Sequence, residues 1–336
     1  MANNAYGIDL GTSNIKIYSR NDDVILVERN MIAIENKGGV FAYGDSAFEM
    51  YEKAPGNIHI SYPLCNGVIA DIKNMEMLIR YFINDLSKGS IRPSDYYIAV
   101  PSDITEVEKR AFKDLLNKSG IKPRQIMVVE KTIADGLGLG IDVKNAQGIL
   151  LVNVGYDTTE ISILSLGGIV LSRLIKTGGL RFDDAIRQVI RKEHSLIIGG
   201  KTAEGVKMEL RELTKDGRNA VVYGRDIVTG LPVERSIPTP LIDGALAEQF
   251  KMIIDNVRVI LERTPPELAA DIYRHGIYLT GGASQVSNFA EMMRKGTKLG
   301  VNVADNPITS VAVGLSKIIK DANYKSVAYA IEGMSK

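Results

Sequence analysis

Gly7-Ile8-Asp9-Leu10-Gly11-Thr12-Ser13-Asn14 decides how the rest of the chain is read. It joins two apolar stretches, Ala5 to Leu10 and Asn14 to Ser19, which read as strands with a tight turn at Gly11-Thr12-Ser13. A turn between strands can aim backbone N–H groups at an anion, and glycine lets the anion come close to the main chain. Gly7 and Gly11 supply that freedom. Thr12, Ser13 and Asn14 add side-chain donors, and Asp9 is an acid able to order waters around a divalent cation. Taken alone, the stretch also fits an ordinary glycine hairpin with a polar tip.

Two further stretches count against that plainer reading. Leu151-Val152-Asn153-Val154-Gly155-Tyr156-Asp157-Thr158-Thr159 repeats the strand–turn–strand pattern about half a chain later, as expected if two related halves each supply one loop. Leu279-Thr280-Gly281-Gly282-Ala283-Ser284 follows a strand and precedes a helix, a context that suits an anion or an adenosine group near a helix N-terminus. Ile198-Gly199-Gly200-Lys201-Thr202 imitates a P-loop but is rejected. The full pattern needs glycine where Ser195 stands, and the segment before it reads as helix, not strand.

Composition bounds the alternatives. The 336 residues are 45% hydrophobic and 24% charged, enough for two domains with real cores. A net charge of +1 gives no overall field toward nucleic acid or an anionic membrane, and no nucleic-acid partner is expected. Cys65 is the single cysteine, and His59, His194 and His275 share no ligand spacing, so neither an intrachain disulfide nor a zinc site is expected. Met1-Ala2-Asn3-Asn4-Ala5 lacks the features of a signal peptide, and no apolar run approaches the roughly 18 residues of a spanning helix. A cytoplasmic protein is expected.

Along the chain, strands are expected at Val24 to Glu28, Tyr97 to Val100, Ile126 to Val129 and from Ile149 to about Lys176. Helices are expected over Asn74 to Leu86, Phe182 to Lys192, Ala203 to Leu213, Pro240 to Arg263, Val286 to Met293 and Ile308 to Lys320. Thr105 and Glu108 form a capping-box pair that opens a helix with Val107, Phe112, Leu115 and Leu116 on one face and Gly120 as its stop. A polar β stretch is expected around Ala220 to Val233.

These motifs, in this order, resemble the actin, Hsp70 and sugar-kinase superfamily, and within it the bacterial actin homologue MreB. The similarity covers nearly the whole chain. Its further matching stretches are Gly67 to Asp71, Met77 to Ile83, Val100 to Arg110, Ser165 to Val170, Thr202 to Glu204, Thr229 to Pro232, Thr264 to Ala269 and Leu279 to Gly282. The resemblance implies a mixed α/β, actin-like fold of two ribonuclease-H-like halves around a nucleotide cleft. Its four subdomains would be IA (1–32, 66–145 and 310–336), IB (33–65), IIA (146–178 and 241–309) and IIB (179–240). It implies ATP with Mg²⁺ in the cleft and Asp9 acting on the metal through water. Gly11, Thr12, Ser13, Asn14, Gly155, Thr158 and Thr159 would lie along the phosphates, Glu204 and Lys207 at the ribose and adenine, and Gly281, Gly282 and Ala283 along the adenosine and α-phosphate. Asp71 would sit at the connection between halves. Without the resemblance, Glu204 and Lys207 would read as an i,i+3 surface pair. It also implies filaments of this chain beneath the membrane, with a standard MreB paralogue as a second candidate partner, and a role in rod cell shape.

The chain departs from the family where the chemistry lies. The pattern Glu-Glu-Pro, whose second Glu positions the attacking water, is Glu130-Lys131-Thr132 here. Lys131 and Thr158 therefore occupy the water-positioning sites, and an ammonium beside phosphates stays protonated and cannot take a proton from water. If the strand persists, Glu130 points to the opposite face. The second loop, normally Asp-Ile-Gly-Gly-Gly-Thr-Thr, has Asn153, Tyr156 and Asp157 in place of a carboxylate and two glycines. A Lys131–Asp157 pair is expected to offset the charge. Slow or absent hydrolysis follows. No amphipathic anchor is expected at the short N-terminus, and Ile91 in Ser87 to Arg92 is the one apolar loop candidate for the membrane, in a segment that reads equally well as a plain polar loop. Its burial would be worth about 1.5–3 kcal/mol per subunit, multiplied by avidity in a filament.

A cytoskeletal polymer is the leading reading. A plasmid- or organelle-positioning filament is the nearest alternative. A sugar-type kinase needs a carboxylate base that Lys131 does not supply, and a chain ending at Lys336 is expected to carry no Hsp70-type peptide-binding domain.

Overall fold

The computed structural model describes residues 4–36 and 38–330. The expectation drawn from the first residues falls mostly on 1–3, outside the described residues.

Two sheets of the same design form the two lobes. In the first, Val24–Arg29, Asn14–Ser19 and Ala5–Leu10 run antiparallel, and Ala5–Leu10 is followed in parallel by Ser94–Val100 and Pro123–Glu130, with Ala328–Tyr329 at the edge. In the second, Gly168–Ile175, Thr159–Ser165 and Ile149–Val154 run antiparallel, followed in parallel by Ile277–Thr280 and Val301–Val303. The echo between the two loops is thus an echo between two whole sheets. Ala5–Leu10 and Ile149–Val154 are buried at every position, as central strands covered on both faces must be. Asp9 and Asn153 are their polar exceptions.

Each lobe also carries a smaller unit. Strands Ile32–Glu35, Val40–Tyr43 and Ile58–Ser61 form one with the helix Asp45–Met50. Strands Leu196–Ile197, Ala220–Asp226 and Pro232–Ile237 form the other, beside the helices Gly179–His194 and Gly200–Lys215. Apolar side chains of both large sheets, Ala99 and Val129 from one and Ile149 and Leu164 from the other, share one core with the helices Lys131–Gly138 and Ser310–Lys320. The lobes are therefore joined by a continuous apolar seam below the cleft.

Most local expectations hold. The helix Glu106–Lys118 opens with the reciprocal Thr105–Glu108 capping box. Val107 does not join its buried face and is 75% exposed. The helix expected over Val286 to Met293 is instead a 3-10 turn at Gly282–Gln285 and, after Asn288 at φ 64°, a helix Phe289–Thr297. The helix Pro266–His275 was not anticipated, because its Pro265-Pro266 start reads as a break, although proline suits a first helical turn. Ile91 is half-buried against the first core, so it is not a free apolar tip for a membrane. Among the described residues no helix is long and apolar enough to cross a membrane.

Candidate functional site

The turns of the two central hairpins face one cavity of about 400 Å³, within the size range of small-molecule sites. Gly11, Thr12, Ser13 and Asn14 line it from the first lobe and Gly155 and Thr158 from the second. Glu204 and Lys207 reach it from the helix Gly200–Lys215, and Gly281, Gly282 and Ala283 from the turn after Ile277–Thr280. Asp9 and Lys131 line it too. Gly281, at φ 85°, lies so close to the second loop that a Cβ would meet Val154 O at 2.3 Å, so glycine there lets the third turn dock on the second.

Two expected residues are elsewhere. Thr159 is fully buried and its hydroxyl donates to Thr177 O at 2.7 Å; side chains alternate along an extended chain, and Thr158 takes the cleft side. Gly7 belongs to the packing and not to the loop, since a Cβ there would meet Leu315 Cβ at 2.8 Å. Asp71 caps the helix Ile72–Leu86 by accepting from the Asn74 N–H at 3.0 Å.

The charges in the cleft are arranged around Asp9. Lys16, its register neighbour across the hairpin, places Nζ 3.1 Å from Asp9 Oδ2, and Lys131 places Nζ 3.5 Å from Oδ1. Burial pushes the Asp9 carboxyl up, but Lys131 and Lys16 together outweigh it and hold it below the ordinary carboxylate range. Burial likewise disfavours the Lys131 ammonium, and Asp9, Glu160 and Asp135 more than restore it, so Lys131 stays protonated. The expected Lys131–Asp157 pair does not form. Lys131 is the first residue of a helix and turns toward Asp9, while the Asp157 carboxylate accepts from the Asn66 N–H. Glu130 ends the preceding strand and faces away, accepting from Lys109 Nζ at 3.2 Å and the Tyr329 hydroxyl at 2.7 Å.

Asp135, one helical turn beyond Lys131, accepts from Asn153 Nδ2 at 2.6 Å and from the Thr280 hydroxyl at 3.3 Å. Its burial, only partly offset by donors from Ser310 and Asn153, pushes it up to about 6. This gives the departure at Asn153 a physical reason, because a carboxylate there would stand at hydrogen-bond distance from another. Asn153→Asp should therefore raise the folded-state titration of that pair well above the unfolded 3.8. A raised carboxyl stabilises the fold at low pH and loses that contribution as pH rises. The variant should lose about 1–3 kcal/mol at pH 8 and much less at pH 5, read as the shift in denaturation midpoint at the two pH values. An equal loss at both would refute the pairing.

On the other side of the cavity, Glu204 and Lys207 do not pair with each other. Arg29 of the first lobe donates to Glu204 Oε1 at 3.0 Å and to the Ser13 hydroxyl at 2.8 Å, bridging the lobes across the mouth of the cleft. Lys207 Nζ donates to Gly179 O at 3.2 Å and lies 2.7 Å from Asp183 Oδ1. Tyr156 fills the space that glycine would leave, its ring 5.8 Å from Lys207 Nζ and 5.9 Å from the Tyr62 ring. Burial raises both phenols, Tyr62 to about 12. A second strap crosses the cleft where the false P-loop stands. Both Glu52 carboxylate oxygens accept from the Gly200 N–H at 3.1 and 2.9 Å, and Lys201 Nζ donates to Phe48 O at 2.6 Å.

The donor set suits a polyanion and does not fit a divalent cation. Asp9 is already held by two ammonium groups. Glu160 Oε1 accepts from the Thr132 hydroxyl at 2.7 Å and the Ser102 N–H at 2.9 Å. Asn153 brings no negative charge, and its Nδ2 donates to Asp135. Among the described residues no group of three or more acidic, histidine or cysteine side chains could hold a metal.

Sequence reasoning missed Lys16, Arg29, Asp135 and Glu160. Lys16 and Asp135 left a signal, since Lys16 sits opposite Asp9 in the hairpin register and Asp135 is i+4 from Lys131. Arg29 left none, as its partner Glu204 lies in the other lobe.

Two lobes of one design, each giving a hairpin loop to a shared cleft, define an actin-like two-lobed protein. The profile of the MreB/Mbl protein family matches residues 3–327, and the chain belongs to that family. It is 36% identical over 312 residues to the cell shape-determining protein Mbl of Bacillus subtilis, covering 92% of this chain and 93% of that one. It is 35% identical over 329 residues to the cell shape-determining protein MreB of Escherichia coli, covering 95% and 94%. Among solved structures, MreB5 of Spiroplasma citri bound to AMPPNP superposes with a TM-score of 0.91 at 35% identity, over 97% of this chain and 98% of that one. The MamK double helical filament gives 0.79 at 20% identity over 95% and 99%, a likeness of fold.

Proposed function

We propose that this chain is an ATP-binding, filament-forming MreB-like cytoskeletal protein that acts in cell shape at the cytoplasmic face of the membrane and hydrolyses ATP slowly or not at all. Cell shape is the named role of its relatives Mbl and MreB. AMPPNP and ADP are the nucleotides bound by the similar MreB5 of Spiroplasma citri, and the cleft here offers the same kind of ligand a cage of hydroxyls, backbone turns and four cations, Lys16, Arg29, Lys131 and Lys207. The four-subdomain division set out above belongs to this reading, with the two smaller units as IB and IIB. Self-association is its partner; a standard MreB paralogue is a second one, and the packing of Ile91 leaves membrane contact without support from that loop.

The observation that carries the catalytic part is Lys131 Nζ at 3.5 Å from Asp9, where a water-positioning carboxylate is expected. General-base catalysis contributes about 10²–10⁴-fold. Purified full-length chain should release phosphate from ATP at least about 100-fold more slowly than a family member carrying Glu-Glu-Pro, while negative-stain microscopy shows filaments with ATP. Phosphate release at the relative's rate would defeat the catalytic part, and monodisperse particles with every nucleotide would defeat the polymer. Among the described residues, Glu160 near Lys131 already accepts from Thr132 and Ser102 and Asp9 is held by two ammonium groups, which disfavours a kinase reading.

A further inference from the structure

The two ammonium groups on Asp9 carry a consequence for metal dependence. Asp9, Lys16 and Lys131 together sum to one positive charge, so the Asp9 carboxylate is left with no net negative charge to offer a dication. Relative to glutamate at the same position, Lys131 changes the local charge by two units, which is the charge a divalent cation brings. The fold sets its position. It opens the helix Lys131–Gly138, whose far side is pinned against Ser310–Lys320, and its Nζ faces Asp9 with Glu160 and Asp135 as further anionic neighbours. The remaining carboxylates are turned to other donors, Glu160 to Thr132 and Ser102, and Asp157 to Asn66.

We propose that Lys131 Nζ takes the place of the divalent cation, so that this chain holds a nucleoside triphosphate by a tethered ammonium and needs no metal to do so. This rests on the reading that the cleft binds nucleotide. Lys131 neutralises the terminal phosphates as a point charge, as lysine does in other phosphate sites. Unlike a metal, it does not take water as a ligand and so does not acidify one.

Calorimetric titration of the full chain with ATP tests this, in EDTA and in excess Mg²⁺. Affinities within about 3-fold of each other are expected for the natural chain. Lys131→Arg should keep binding in EDTA. Lys131→Glu, checked as folded by circular dichroism, should lose roughly 10-fold or more in EDTA and recover when Mg²⁺ is added. Binding of the natural chain only in Mg²⁺, or Lys131→Glu binding in EDTA as the natural chain does, overturns the proposal. Absence of binding under both conditions overturns the nucleotide reading, and this proposal with it.

Discussion

Gly314→Ala should leave little folded protein. Gly314 lies where the helix Ser310–Lys320 crosses Lys131–Gly138, and a Cβ there would meet Ala134 O at 1.6 Å. The contact is reciprocal: a Cβ on Gly138 would meet Ser310 O at 1.8 Å. Ala134 and Gly138 on one helix, and Ser310 and Gly314 on the other, are four-residue-spaced small residues that let two backbones touch. The clash is with main chain, so no side-chain rotation relieves it and the helices must separate. Overpacking usually costs 1–3 kcal/mol and occasionally more; backbone separation through the central core places this change above about 3 kcal/mol. The same displacement moves Lys131 off Asp9. Gly244→Ala is the control. It lies in the helix Thr239–Glu262 with nothing within 4 Å of its built Cβ, and should be neutral or stabilise by up to about 1 kcal/mol. An unchanged urea midpoint for Gly314→Ala would show that the two helices do not touch as described.

The second large effect concerns Lys207 and Asp183, whose side chains are 8% and 5% exposed. Removing one member of a buried pair leaves the other charge uncompensated, at about 3–5 kcal/mol. Lys207→Met should lose that much at pH 8. Burial pushes Asp183 up to about 6 even with Lys207 pulling it down, and without the ammonium it rises further. The folded state then binds a proton that the unfolded state, near 3.8, releases. Stability is therefore greatest in acid and is lost as pH rises through the raised value. The deficit of Lys207→Met should be smallest near pH 5, and Asp183→Asn in the same chain should recover part of it at pH 8. A pH-independent deficit would mean that Lys207 acts through packing alone.

Both effects involve residues whose importance is hard to see in one dimension. Gly138 and Gly314 are spaced like any helix glycines, and nothing near either of them names the backbone it meets, Ser310 for the first and Ala134 for the second. Lys207 was legible only through the family resemblance, because on its own it reads as the surface partner of Glu204. The structure instead sends Glu204 to Arg29 and Lys207 to Asp183, each chosen by which side of the cleft the helix Gly200–Lys215 presents. The assumption that Lys131 answers Asp157 failed for a related reason. Lys131 opens a helix, and that start turns its side chain toward Asp9.

What the amino-acid sequence determined alone is the local framework. The two hairpins, the capping box at Thr105 and Glu108, the long helix near Thr239–Glu262 and the three turns of the cleft are written in alternation, capping residues and glycines within a few positions of one another, because their hydrogen bonds and side-chain faces repeat over those short distances. It also determined that the carboxylate of the family's chemistry is a lysine. The tertiary structure alone decided what that lysine does. Asp9 and Lys131 meet because strand Ala5–Leu10 and strand Pro123–Glu130 lie in one sheet on either side of Ser94–Val100. Asn153 and Asp135 meet because the helix after Pro123–Glu130 crosses to the second sheet. Electrostatic partners are set by distance through space, and in this fold that distance is closed by sheet order and by two glycines that each let the backbone of the opposite helix come close.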